Sequence, residues 1–339
     1  MRNLLFLPLV FVSLFLMMAC AGDKSEADQE GWLLEHGAYP YATPWDEHYF
    51  YTMQHPSGDT IILYQTDDLH KLHDAQSRVV WAVDSLHHIW SPELHRIHDK
   101  WYLYFEADAG NTDNHQLYVL ENDATNPMEG DFKLKGAIQT NDEWNFGLHP
   151  TSVVVKGQQY LLWSGWPHRR SETETQCIYI ARMENPWTLA SERVMLSQPE
   201  LEWERQWIDP DGQRSNYPIF VNENPEAYVT PDGRHVFVCY SASCIWTVYN
   251  KMGMLYASTE ADLLDVQSWT KMTEPQLVPA NGSALYGTSN ISIVPDGSGQ
   301  RFLLLYEAKT REVTGEKRGI RIKPIGWKED GLPDFGHPK

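Results

Sequence analysis

Cysteine is scarce in this 339-residue chain: there are four, and three of them, Cys177, Cys239 and Cys244, stand at no metal-like spacing. That excludes a structural zinc site and a cystine scaffold, and buried free thiols are expected, with a Cys239–Cys244 bridge as the alternative in an oxidising compartment. Positive charge is thin as well. Against 46 Asp and Glu stand 27 Lys and Arg, a formal net charge of −19, which excludes nucleic acid and anionic membrane surfaces as partners and suits a neutral ligand. Long amphipathic helices are missing, because apolar residues recur almost everywhere with a period of two. What the chain has in abundance is aromatic side chains, with 14 Trp and 17 Tyr. Flat apolar rings with a polar edge pack in sheets and also stack on sugar rings.

One long apolar run exists, LLFLPLVFVSLFLMMA, lying between Arg2 and Cys20. It is short for a membrane span and is followed by the polar segment AGDKSEADQE with no basic cluster, the pattern of a secretory signal peptide. Met17, Met18, Ala19 and Cys20 resemble a bacterial lipobox, which implies lipidation of Cys20. The expected organisation is a signal over residues 1–19, a polar tether over 20–36 and one domain over 37–339. Export as a monomeric lipoprotein, touching the membrane through its lipid alone, follows from this reading.

The strand candidates come as pairs: YFYTM with IILYQ, KWYLYFEA with QLYVLE, QYLLWSG with CIYIARM, HVFVCYSAS with GMLYAST, and RFLLLYEA with GIRIKPIGW. Turn segments such as HDK, KGQ and PDGR precede the aromatic-rich members. From Tyr104 to Trp163 to Tyr240 to Tyr306 equivalent positions recur at roughly 60 to 75 residues, enough for a four-stranded unit with generous loops. The pattern predicts an all-β fold, a five-bladed β-propeller with a central channel. QPELEWERQWIDPDGQRS, between the third and fourth units, is too charged for core and is expected as a long loop shaping the pocket.

The segment HIWSPELHRIHDKWYLYFEAD resembles the second-blade signature of glycoside hydrolase family 43, a W-A-P-E/D segment followed by an aromatic strand of the K-W-Y-I-Y-F-A-A type. LLWSGW with IYIARMENPWTL is similar to the third blade of its arabinofuranosidase-like members, and VNENPEAYV, VCYSAS and ADLLDVQSWTK to the fourth. The resemblance implies a glycoside hydrolase acting on arabinose- or xylose-containing plant polysaccharide, with no cofactor or metal. It further implies an Asp base in blade one, a pKa-tuning Asp in blade three and a Glu acid in blade four. Inverting hydrolysis needs a carboxylic acid and a carboxylate facing each other across roughly 6.5–9.5 Å.

On that pattern N-E-G-P corresponds to Asn222-Glu223-Asn224-Pro225, so Glu223 is the expected acid. A-D-P-W corresponds to Ala42-Thr43-Pro44-Trp45, which puts Thr43 at the base position, and I-D-G-T to Leu148-His149-Pro150-Thr151, which puts His149 at the tuning position. G-P-G-H-N-S corresponds approximately to Gly287-Thr288-Ser289-Asn290. A hydroxyl does not replace a carboxylate as base, so His149, Asp46, Glu47 and Glu93 are the candidates for activating water. Neutral imidazole, with a pKa near about 6.5, is a competent base, whereas a cationic His149 works against a protonated Glu223. Glu93 is expected to contact substrate, and Trp90, Trp163 and Trp166 to wall the pocket. His95 and His98 are expected as exposed turn histidines. A catalytically degenerate, carbohydrate-binding propeller is the alternative to a hydrolase with an altered base.

Overall fold

The computed structural model describes residues 30–143, 145–169, 174–206, 219–245, 247–297, 299, 301–311 and 317–339. The signal segment and Cys20 lie outside the described residues. After strand β1 (Gly31–Leu34), a four-stranded antiparallel sheet is formed by β2 (Tyr41–Trp45), β3 (His48–Thr52), β4 (Thr60–Thr66) and β5 (Gln76–Ala82). A second is formed by β6 (His87–Ile97), β7 (Lys100–Asp108), β8 (Gln116–Asn122) and β9 (Lys133–Ile138).

A nine-stranded sheet then joins two units. One holds β10 (Leu148–Val155), β11 (Gln158–Gly165), β12 (Glu174–Asn185), β13 (Thr188–Leu189) and β14 (Val194–Ser197). The other holds β15 (Ile219–Val229), β16 (His235–Ala242), β17 (Lys251–Ser258) and β18 (Thr270–Lys271), and a short parallel pairing of β12 with β15 links them. The last sheet holds β19 (Tyr286–Pro295), β20 (Phe302–Lys309), β21 (Gly319–Trp327) and β22 (Pro333–Asp334), and β1 returns to pair with β21. The end of the expected tether is thus strand. Glu30 Oε1 fixes it by accepting from Tyr306 Oη at 2.8 Å and from the Lys339 backbone N–H at 2.7 Å.

Alternation on the middle strands explains how the sheets stack. Trp101, Leu103 and Phe105 of β7 face Phe50, Ile61 and Leu63 of the first sheet, while Tyr102 and Tyr104 face Leu161, Trp163 and Tyr179. Val236, Val238 and Tyr240 of β16 pack on Leu162, Ile178 and Ile180, whereas Phe237 and Cys239 pack on Ile291, Ile293, Leu304 and Tyr306. Leu303 and Leu305 complete the circuit against Tyr49 and Tyr51. Strands β2, β6, β10, β15 and β19 contact one another in cyclic order, so the sheets surround a common axis in an all-β, propeller-like fold. Cys177, Cys239 and Cys244 are buried, as expected, and no disulfide joins them.

The ten strands read from the sequence are the second and third members of each unit. The innermost strands, which carry the site, precede them. Each has a left-handed residue at or before its midpoint, Tyr39 at 53°, Ser91 at 33°, His149 at 53°, Asn224 at 51° and Asn290 at 43°. Irregular register follows at four of them. Such bulges re-aim side chains at a strand end.

Packing is tight where β16 meets β17. Gly253 lies opposite Tyr240, and a Cβ there would sit 2.2 Å from the phenol ring, whose hydroxyl donates to Glu204 at 2.7 Å. Gly253→Ala is expected to destabilise by about 1–3 kcal/mol through overpacking, read as a lower denaturation midpoint with unchanged slope.

Candidate active site

A cleft of about 370 Å³ opens at the end where the inner strands begin. Its floor is Tyr39, His149, Glu223 and Arg318, and its walls include Trp90, His115, Phe146, Leu148, Trp166, Val221, Cys244 and Ile245. Phe146 and Trp166 stack at 3.9 Å with 13° between planes, and Trp90 rests on His115 at 4.4 Å. A buried histidine needs partners, and His115 has them in the carbonyl of Thr112 at 2.8 Å and Asp108 at 3.3 Å. The wall is therefore rigid and flat, a surface suited to a sugar ring.

His149 Nε2 lies 4.0 Å from Glu223 Oε2, and its Nδ1 lies 3.1 Å from Glu106 Oε1. Ser91 Oγ donates to Glu106 at 2.8 and 2.9 Å and sits 2.8 Å from His149 Nδ1. Burial works against a charge on His149, but Glu106 and then Glu223 outweigh it and hold the imidazole above its ordinary pKa. Burial likewise opposes ionisation of Glu106, and the imidazole beside it reverses that, leaving the carboxyl below its usual range. The Tyr39 ring lies 4.9 Å from that of His149, and burial drives its phenol well above the ordinary value. Glu307 accepts from the Tyr39 backbone N–H at 2.5 Å and from Arg318 at 2.6 Å, which anchors both residues to the last sheet.

The structure brings together Glu223, His149, Trp90 and Trp166 at the cleft and places the other candidate residues elsewhere. Thr43 is outside the cleft: it lies on β2, four residues beyond Tyr39, and its hydroxyl donates to the Leu94 carbonyl. The sequence carries two A-x-P-aromatic tetrapeptides in succession, AYPY and ATPW, and the first is the one whose left-handed residue faces Glu223. Asp46 and Glu47 occupy the exposed turn at the far end of β2. Trp163 is fully buried between sheets, stacked on Tyr179 at 5.9 Å, because alternation on β11 turns it away from the channel mouth.

Glu93 is also absent from the cleft lining and sits deeper among the inner strands. It contacts His95 Nε2 at 2.9 Å and shares a hydrogen bond with Glu226. His95 is accordingly buried rather than exposed, while His98 is exposed in its turn. Burial, then the neighbouring Glu226, pushes Glu93 well up, and burial pushes Glu226 up to about 8. A carboxyl raised on folding stabilises the protein below its unfolded pKa, about 4.3, and that contribution is lost as pH rises through the folded value. Melting temperature is expected to fall between about pH 5 and 9, and Glu226→Gln to flatten that fall. An identical slope in the variant contradicts the assignment.

Sequence reasoning missed Tyr39, Ser91, Glu106 and Arg318. Glu106 had a visible signal, a carboxylate inside the otherwise apolar run WYLYFEA. Among the described residues no group of three or more His, Cys, Asp or Glu converges as a metal set.

An aromatic-walled cleft with a carboxyl–imidazole pair at the mouth of a ring of sheets defines a carbohydrate-active, propeller-like protein. The chain belongs to Glycosyl hydrolases family 43, whose profile matches residues 37–333. It is 34% identical over 306 residues to an extracellular exo-alpha-(1->5)-L-arabinofuranosidase of Streptomyces avermitilis, covering 86% of this chain and 60% of that protein. It is 32% identical over 277 residues to a protein of the same name from Streptomyces chartreusis, covering 80% and 79%. The crystal structure of alpha-L-arabinofuranosidase from Lactobacillus brevis superposes with a TM-score of 0.79 at 29% identity, over 90% of this chain and 95% of that one.

Proposed function

We propose that the chain is a glycoside hydrolase that removes arabinofuranosyl units from arabinose-containing plant polysaccharide, with Glu223 donating the proton to the leaving oxygen. The observation that carries this is the placement of Glu223 in the aromatic cleft, with His149 Nε2 4.0 Å from its carboxylate oxygen. Relatives at 32% and 34% identity that are named arabinofuranosidases support arabinose over xylose. Five inner strands that each have a left-handed residue at or before their midpoint, and cores shared between successive sheets, support the five-bladed reading over residues 37–339, of which the family profile matches 37–333.

Incubation with linear α-1,5-arabino-oligosaccharides and with xylo-oligosaccharides tests the substrate class. Arabinose release from the former alone is expected, and release of xylose alone overturns it. Tyr39, with a phenol too weakly acidic to serve as a base, favours a second reading in which the cleft grips arabinose-containing glycan without turnover. Binding of arabino-oligosaccharides with no product selects it.

Export is supported by the Streptomyces relatives, which are named extracellular. Lipidation of Cys20 in a monomer belongs to the same proposal. Cys20→Ser is expected to move the protein from the membrane fraction to the soluble exported fraction, because one lipid-modified residue supplies the attachment. Equal membrane retention of wild type and variant contradicts the anchor.

A further inference from the structure

Ser91, Glu106 and His149 come from β6, β7 and β10, and their polar atoms meet within 3.1 Å in a buried cluster that borders the cleft through His149. All three differ from the residues of the family pattern, Ala in W-A-P-E, Ala in Y-F-A-A and Asp in I-D-G-T. Each alone is unfavourable: Glu106 is a fully buried carboxylate, and Ser91 and His149 hold left-handed backbone conformations. Together they satisfy one another. An ionised carboxyl only accepts hydrogen bonds, so His149 presents Nδ1–H to Glu106 and its Nε2 is turned to Glu223.

We propose that Ser91 and Glu106 are positioning residues that make His149 the proton source of Glu223, a role that rests on Glu223 protonating the leaving oxygen. Glu223 gives its proton to the glycosidic oxygen as the bond from that oxygen to the anomeric carbon breaks. The carboxylate so formed takes the Nε2 proton of His149. Water oxygen bonds to the anomeric carbon and releases one proton to solvent, and the neutral imidazole regains one from solvent. One proton enters and one leaves, so the sum is hydrolysis. The 4.0 Å between Nε2 and Oε2 is longer than a hydrogen bond, and transfer requires Glu223 to close by about 1 Å, within reach of a terminal carboxyl torsion.

Glu106 and Glu223 favour the imidazolium, Tyr39 packs on its ring, and Arg318 disfavours it but is itself met by Glu307. His115 acts on Glu106 from the cleft wall. Glu106 and then Glu223 outweigh burial and raise the proton affinity of His149 above that of an ordinary imidazole.

The test is to titrate His149 by NMR in imidazole-labelled protein and to record kcat against pH on an arabinofuranoside, for wild type, Glu106→Gln and Ser91→Ala. Glu106→Gln is expected to lower proton affinity of His149 by about tenfold or more, and to move the basic limb of the kcat profile down by the same interval with KM unchanged. Ser91→Ala is expected to shift both in the same direction by less, and it carries the test should the Gln variant not fold. An unmoved His149 titration overturns the positioning roles. A moved titration with an unmoved basic limb overturns proton delivery to Glu223. Absence of turnover in wild type contradicts the hydrolytic reading and delivery with it, and is distinguished from the first failure by the titration, which needs no activity.

Discussion

Tyr39→Asp is expected to raise kcat on arabinofuranosides by about 10²-fold or more, within the range a positioned general base supplies. The phenol at this position cannot take a proton from water near neutral pH, because burial holds it well above its ordinary value. A carboxylate there meets the requirement for a group opposite Glu223 with space between them for water, and removing the ring opens that space. The backbone favours the change as well, since Asp tolerates the φ of 53° at position 39 better than a bulky aromatic does. Arg318, already fixed by Glu307, lies beside the new carboxylate and stabilises its ionised form. Initial rates at saturating substrate check this. An unchanged or lower kcat in a folded variant shows that position 39 does not face the attacking water.

Glu223→Gln is the opposite experiment and is expected to lower kcat by about 10²–10⁴-fold while leaving substrate affinity within a few-fold. The amide keeps the size of the carboxyl in a site that buries it almost completely, so packing against Val221, Asn222 and the cleft wall is preserved. What it removes is the transferable proton. A drop in affinity with kcat unchanged would make Glu223 a binding residue alone.

Much of the fold was legible because the middle strands bury both faces, and runs such as FLLLYEA and VFVCYSA advertise that directly. The innermost strands were harder to read. They carry proline, bulges and left-handed residues at the site end, features that break the period-two pattern where function is located. Two similar tetrapeptides, AYPY and ATPW, stand four residues apart, and nothing in local sequence says that Tyr39 of the first rather than Thr43 of the second lines the cleft. Trp163 was assigned to the cleft because alternation alone does not tell which face of β11 meets a neighbouring sheet. Glu93 follows an irregular register between Trp90 and Glu93 that local sequence does not announce, and it lies buried outside the cleft lining. N-E-N-P and L-H-P-T single out Glu223 and His149 in the sequence, and both side chains line the cleft. Glu106 remained unread because its partner His149 lies 43 residues away, and only the folded contact reveals the pair.

The measurement that tests the account most directly is a parallel time course and binding isotherm with a linear α-1,5-arabino-oligosaccharide, using wild type and Glu223→Gln. Wild type is expected to release arabinose and the variant to bind with comparable affinity but release almost none. Equal release by both proteins would contradict the account by removing Glu223 from the chemistry, and binding without release by either would leave a gripping cleft in place of an enzyme.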